Sequence, residues 1–167
     1  RCFAGYVAED NYRVKGSSGG FGKWLGSVLL KENKIDYFVQ VVGNSTSRSD
    51  VPLFDYQFIS SAGEVINGSK SSYYPTTLAS VIKKIEETNG RFAITGVPCF
   101  IKTLRLLSLQ NELLASRICY TIGIVCGGMK SANQSKMIGW QLGVHPDNLI
   151  AIDFRRKSED KPASKKY

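Results

Sequence analysis

Two consecutive stretches decide the fold class: Phe21-Gly22-Lys23-Trp24-Leu25-Gly26-Ser27-Val28-Leu29-Leu30-Lys31 and Ile35-Asp36-Tyr37-Phe38-Val39-Gln40-Val41-Val42. In the first, Phe21, Trp24, Leu25, Val28 and Leu29 recur at the spacing of one helix face, a stripe read as core. The second is a nearly continuous apolar run with β-branched and aromatic residues, the mark of a strand buried on both faces. A helix followed directly by a buried strand predicts an α/β architecture.

Upstream, Cys2 to Val7 reads as a strand, joined to the helix by a polar loop from Glu9 to Gly19. A βαβ unit would then be complete at Val42. Downstream the period keeps alternating. Gly43 to Pro52 is a connection dense in Ser, Asn and Asp, Leu53 to Ser60 a strand, and Ala62-Gly63-Glu64 a turn. A helix begins near Thr76 or Thr77, buries Leu78, Val81, Ile82 and Ile85, and stops at Asn89-Gly90. Arg91 to Thr95 is a strand, Gly96-Val97-Pro98-Cys99 a tight turn, and Phe100 to Leu107 a helix. Ile118 to Val125 reads as a further buried strand, Ala132 to Leu142 as a helix and Leu149 to Phe154 as a last strand. The expectation is a sheet with flanking helices and a cofactor site at the carboxyl ends of the strands. Residues 1–154 form the α/β domain, and 155–167 a basic polar tail that starts a truncated continuation.

Composition agrees with a folded domain. The 167 residues are 43% hydrophobic and 22% charged. Net charge is +8. About half of that excess lies in the tail, where Arg155, Arg156, Lys157, Lys161, Lys165 and Lys166 outweigh Glu159 and Asp160. Such a segment reads as a solvated terminus, which leaves a basic nucleic-acid-binding domain as the weakest functional reading. No run of apolar residues is long enough for a membrane helix and no signal layout opens the chain, so no membrane partner and a cytoplasmic location are expected. The chain starts at Arg1 without an initiator Met, as a piece of a longer polypeptide would.

The only histidine, His145, stands before Pro146 in a turn, which argues against a Ser-His-Asp triad or a Cys/His zinc site. Cys2, Cys99, Cys119 and Cys126 form no Cys-x-x-Cys pair. Cys119 lies inside a buried run and reads as a small core residue, and Cys2 has no clear role.

Three strand-to-helix corners are compositionally unusual. Gly16-Ser17-Ser18-Gly19-Gly20 precedes the first helix, where free N–H groups and the helix dipole suit an anion, although such a loop is more often an ordinary N-cap. Asn67 to Pro75 supplies hydroxyls, Lys70, Tyr73 and Tyr74. That set fits a phosphate-bearing planar ligand, while the residues alone favour a surface turn with its rings packed on the sheet edge. In Thr95-Gly96-Val97-Pro98-Cys99, a thiol at a helix N-terminus is a better nucleophile or metal ligand than one in the core. Cys126, before Gly127-Gly128, falls at the end of the next strand and could share that rim.

In their order and spacing the corners resemble the beta-subunit family of coenzyme F-420-dependent hydrogenases and dehydrogenases, whose members also include chlorophyll-cycle reductases. The resemblance runs from about Arg1 to Lys157. It rests on Ser17-Ser18-Gly19-Gly20 with Lys34-Ile35-Asp36, Gly68-Ser69-Lys70 through Tyr73 to Pro75 and Leu78, Thr95-Gly96-Val97-Pro98-Cys99 with Leu104-Arg105, Gly123-Ile124-Val125-Cys126, and Ile152-Asp153-Phe154-Arg155. Ser71, Val97 and Phe100 depart from the family's Tyr, Thr and Gln.

The resemblance implies a flavin-dependent oxidoreductase domain passing electrons between an iron–sulfur centre and FAD or a deazaflavin such as coenzyme F-420. It places Ser18, Gly19, Gly20, Lys70, Tyr73, Thr95 and Gly96 around the flavin, and Cys99 and Cys126 as cluster ligands. No catalytic acid or base is implied. A four-iron cluster ordinarily takes four thiolates, so the cluster is expected only in the complete protein. The expected partner is the remainder of the parent polypeptide or a redox subunit, with an oligomer left open. The alternative is a relative acting in a sugar or polysaccharide pathway.

Overall fold

The computed structural model describes residues 1–45, 51–68, 70–155 and 157. Along the chain run α1 (Phe21–Lys31), β1 (Tyr37–Gly43), β2 (Phe54–Ile59), α2 (Ala79–Glu87), β3 (Phe92–Gly96), α3 (Pro98–Ser108), α4 (Glu112–Arg117), β4 (Ile118–Gly123) and α5 (Ala132–Gln141). Short 3-10 turns cover Val65–Asn67 and Pro146–Asn148. The fold is α/β, a four-stranded mixed sheet in the order β2-β1-β3-β4 with helices on both faces.

β1 and β2 pair antiparallel from Phe38 opposite Ile59 to Gly43 opposite Phe54. β3 runs parallel to β1, with Tyr37 opposite Phe92, and β4 runs parallel to β3, with Gly96 opposite Gly123. Because side chains alternate across a sheet, successive residues of β1 feed two cores. Val39, Phe92, Ile94 and Tyr56 face Leu78, Val81 and Ile85 of the α2 segment, Leu104 of α3 and Leu114 of α4. Tyr37 stacks on Phe92 at 5.2 Å between ring centroids, and Phe58 meets Phe92 edge-on at 5.9 Å. Phe38, Ala93 and Ile59 face the other way, against Leu29, Ile35 and Val65.

Local chemistry accounts for the boundaries. Thr77 Oγ1 accepts the Ala79 N–H at the start of α2, and Pro98 occupies the first turn of α3, where its missing N–H costs nothing. Asn111 caps α4 by accepting from Leu114 N–H at 3.1 Å. That helix was not expected from the sequence.

Four expectations are corrected. Cys2 to Val7 is not a strand: Phe3 is 90% exposed, and the segment's bond to the Ser/Gly corner is Val7 N–H to the Gly19 carbonyl rather than a sheet ladder. The first βαβ unit therefore does not form, and the parallel pair is β1 and β3. α1 buries Lys23, Gly26, Ser27 and Leu29, while Phe21 is 60% exposed and Trp24 turns outward to Glu9. The cause is steric: a Cβ on Gly26 would lie 2.5 Å from the Phe38 ring, so the helix seats itself on its small-residue face. β4 is an edge strand with exposed residues, and Cys119 is exposed rather than core. Leu149 to Phe154 is not a strand; it crosses the sheet end as a strap, with Leu149 against Gly139 and Phe154 6.0 Å from the Phe54 ring. Part of the Gly43 to Pro52 connection and nearly all of the 155–167 tail lie outside the described residues.

Candidate functional site

Parallel pairing puts the carboxyl ends of β1, β3 and β4, at Gly43, Gly96 and Gly123, along one edge of the sheet. In open α/β sheets this edge is where ligands bind. α1 leads from its last turn through Ile35 into the start of β1, so it runs back along the sheet and its N-terminus returns to the same edge. All three unusual corners therefore lie at one end of the molecule.

The first two corners are physically joined. Lys23, in the first turn of α1 and only 9% exposed, donates from Nζ to the carbonyls of Lys15 at 3.1 Å, Ile66 at 3.1 Å and Gly68 at 2.5 Å. Burial pulls its pKa down to about 8, with the Lys70 and Lys15 charges pushing the same way and Asp153 opposing. Beneath the second corner, Gln40 of β1 is buried and its Nε2 donates to the Val65 carbonyl at 2.9 Å. A Cβ on Gly68 would collide with that Gln40 side chain at 2.4 Å.

Each residue expected at the site now has a place. Ser18 is exposed, and its carbonyl accepts from Lys157 Nζ at 2.7 Å. Gly19 and Gly20 are half-buried against the chain's own N-terminal segment. A Cβ on Gly19 would meet the Gly5 carbonyl at 2.7 Å, and one on Gly20, whose φ is +83°, would meet the Tyr12 carbonyl at 2.4 Å. Glycine is required there by close packing as much as by left-handed backbone. Next to them, the buried Ser17 hydroxyl has no partner among the described residues.

Lys70 lines a cleft of about 250 Å³ at the carboxyl end of β1, together with Asn44, Phe54, Asn67, Ser71 and the 151–154 strap. Its ammonium is 3.0 Å from Asp153 Oδ2, and the carboxylate is half exposed. Tyr73 packs edge-on against Phe154 at 5.4 Å, and Tyr74 against Phe54 at 5.7 Å. Of these rings Phe54 and Phe154 line the opening beside Lys70, with the two tyrosines packed behind them.

Thr95 is turned inward, with Oγ1 donating to the Val39 carbonyl at 3.3 Å. Gly96 is buried, and its carbonyl accepts from Ile124 N–H at 2.8 Å. Both are built into the sheet. Cys99, on the first turn of α3, and Cys126, three residues past β4, are exposed on neighbouring ends of that edge. The Cys126 sulfur accepts from Gly128 N–H at 3.3 Å. Among the described residues no three His, Cys, Asp or Glu side chains come together as a metal site.

Three residues of this region were not singled out by sequence reasoning. Lys23 and Asp153 are two. Tyr56 is the third: its hydroxyl lies 3.4 Å from where a Gly96 Cβ would stand, and burial, with the Cys99 charge adding, pushes its pKa up to about 12. A lysine in register with Gly26, Ser27 and Leu30 on a helix was the visible signal for the first.

Comparison with known proteins adds to this geometry. Residues 2–83 match the N-terminal family model of the coenzyme F420 hydrogenase/dehydrogenase beta subunit, and residues 89–166 match the C-terminal family model of the same protein. Among solved structures, a chain of the F420-reducing [NiFe] hydrogenase complex from Methanosarcina barkeri superposes with a TM-score of 0.69 at 17% identity. The alignment covers 80% of this chain and 46% of that one, so this chain spans less than half the length of its structural neighbour. No curated protein matches it.

Proposed function

The chain belongs to the coenzyme F420 hydrogenase/dehydrogenase beta subunit family, and on that premise we propose that it is the flavin-binding part of an oxidoreductase subunit, holding FAD or a deazaflavin at the carboxyl edge of its sheet. The observation that carries the reading is the cleft itself. Lys70, the hydroxyl of Ser71 and the aromatic faces around Phe154 converge where the fold places ligands. That is the donor set a phosphorylated, planar molecule requires.

The fit to a flavin nucleotide is favourable on two counts. Lys70 supplies a point charge for phosphate, and its present partner Asp153 sits half exposed, where ion pairing is worth about 0–1 kcal/mol and is readily exchanged. α1 begins after Gly20 with no side chain bonded to its first N–H groups, a terminus that suits a phosphate. A bound flavin would supply the exchange between hydride and single-electron chemistry, and the protein's part is positioning and electrostatics. In this reading Lys70 and Ser18 hold phosphate, Tyr73 and Phe154 flank the ring system, and the half-buried Gly19-Gly20 corner keeps the α1 N-terminus close.

An iron–sulfur cluster does not fit the described residues alone. Cys99 and Cys126 are two thiolates where four are ordinarily needed. Their part in a cluster shared with a longer polypeptide or a redox partner remains a proposal. In the complete protein, Cys99→Ser should lower iron content and Cys119→Ser should leave it unchanged; equal iron in both would remove the assignment.

Flavin titration tests the main claim. FAD fluorescence should quench on addition of the protein with saturable binding, and Lys70→Ala should weaken it by about tenfold, the loss of one charge-assisted contact. Unchanged binding in the variant would reject Lys70, and no binding in the wild-type chain would reject the flavin reading.

A further inference from the structure

We propose that Lys23 is the positioning residue of this anion corner: by drawing the Ile66 and Gly68 carbonyls into the interior, it sets the turn that presents Lys70 to the cleft. Three contacts carry the inference. The buried Nζ bonds a carbonyl from the Ser/Gly corner, at Lys15, and two from the Lys70 corner, at Ile66 and Gly68. It is thus a single cross-link between loops far apart in sequence. A buried ammonium is costly unless its donors are used, and here all three have acceptors.

The chemistry of the corner follows. Carbonyl oxygens at the mouth of a cleft repel an incoming phosphate. With those of Ile66 and Gly68 turned inward to Lys23, the outer side of the turn is left to Lys70 and Ser71, and a second positive charge stands behind them. Gln40 supports the same arrangement from below through the Val65 carbonyl. The lysine is therefore not a ligand group itself; it acts through the turn.

The proposal rests on the anion-binding reading of the cleft, and it adds a pH dependence. The charged groups facing Lys23 are Lys15 from the preceding loop, Lys70 from the turn and Asp153 from the strap. Since Lys23 titrates near 8 in the folded chain, an anion beside Lys70 should favour its charged form, so binding takes up a proton above that pH. Affinity should then fall as pH rises from 7 to 9.

The test compares wild type, Lys23→Met and Lys70→Ala, with FAD as probe from pH 6.5 to 9.5 and amide exchange of the 65–71 peptide as a second readout. Lys23→Met should bind about tenfold more weakly at pH 7 and lose the pH inflection. Lys70→Ala should also bind weakly but keep the inflection, moved upward because one of the charges lowering Lys23 is gone. Exchange in 65–71 should quicken at least tenfold in Lys23→Met, with β3 unchanged. If Lys23→Met does not fold, Lys23→Gln, which retains two donors and no charge, is read in its place. A Lys23 variant with wild-type affinity and inflection would overturn the proposal. Should the wild type bind no FAD, the flavin reading fails, and exchange decides the clamp: faster exchange in the variant supports it and equal exchange overturns it.

Discussion

At Gly26 the backbone of α1 lies directly against the Phe38 ring of the sheet, and a side chain added there has a physical cost. A Cβ would stand 2.5–2.6 Å from three atoms of the fully buried Phe38 ring. Gly26→Ala should destabilise the fold by about 1–3 kcal/mol despite the gain in helix propensity, since overpacking outweighs it; urea denaturation with an unchanged slope would measure this. An equal or higher stability would mean that Phe38 can move. The same position explains why the stripe of Phe21, Trp24 and Val28 misled. Hydrophobic period identifies a helix but does not say which face a neighbouring ring will accept, and here size mattered more than polarity. Likewise Gly19-Gly20 was recognisable as a special corner from its residue types, whereas the Gly5 carbonyl against it belongs to a segment read as a strand and the Tyr12 carbonyl to a polar loop.

Elements in this fold are tied at their ends by arginines. Arg117 donates to the Ile85 and Glu86 carbonyls at 2.7 and 2.8 Å and to Asn89 Oδ1 at 2.5 Å, closing the C-terminal turn of α2 from α4. Arg117→Ala should cost about 1.5–3 kcal/mol, the range for bonds made by a charged donor, and should quicken amide exchange selectively at the end of α2. Arg91, just before β3, holds Asp36 in a two-point pair that also uses the Arg91 N–H, and these bonds keep the Asp36 carboxyl below its usual range. A depressed folded-state pKa means stability that is present above the unfolded value of 3.8 and lost as pH falls through the lower folded one. Asp36→Asn should therefore flatten the acid limb of the stability curve below about pH 4, and an unchanged limb would place that dependence elsewhere. β1, α2, β3 and α3 were legible because each carries its own period and its own punctuation at Gly90 and Pro98. Leu149 to Phe154 has the residue types of a strand but lies across the sheet end. Exposed β4 looked buried because apolar content in a strand does not reveal whether it has a neighbour on both sides.

For the whole molecule, the division between the two family models falls at residues 84–88, in and just after the last turn of α2, yet the sheet ignores it. β1 and β2 come from the first half, β3 and β4 from the second, and one core contains Val39, Val81, Phe92 and Leu114. Separately expressed 1–88 and 89–167 should accordingly show little dispersed NMR signal alone and gain it on mixing; a well-folded half would contradict the shared core. All four thiols are exposed and unpaired, so a native-state titration with a chromogenic disulfide should count four. The third corner follows from strand-to-helix order, but the first two do not, since no strand precedes Gly16 and β2 ends at Ile59, opposite Phe38 at the other end of the sheet. What joins the first two is Lys23: its register with Gly26 and Ser27 marks a buried lysine, but residue types do not say which backbone carbonyls it reaches.

The parallel pairing of Tyr37 with Phe92 has a further consequence for biosynthesis. A hairpin of β1 and β2 can close as soon as it leaves the ribosome, but its other edge has no partner until the second half of the polypeptide has been made. During that interval Val39, which ends with no exposed surface at all, lacks Phe92, Ile94, Leu104 and Leu114 of its core. Translation speed between α2 and β3 thus becomes a determinant of yield, independent of how stable the finished domain is.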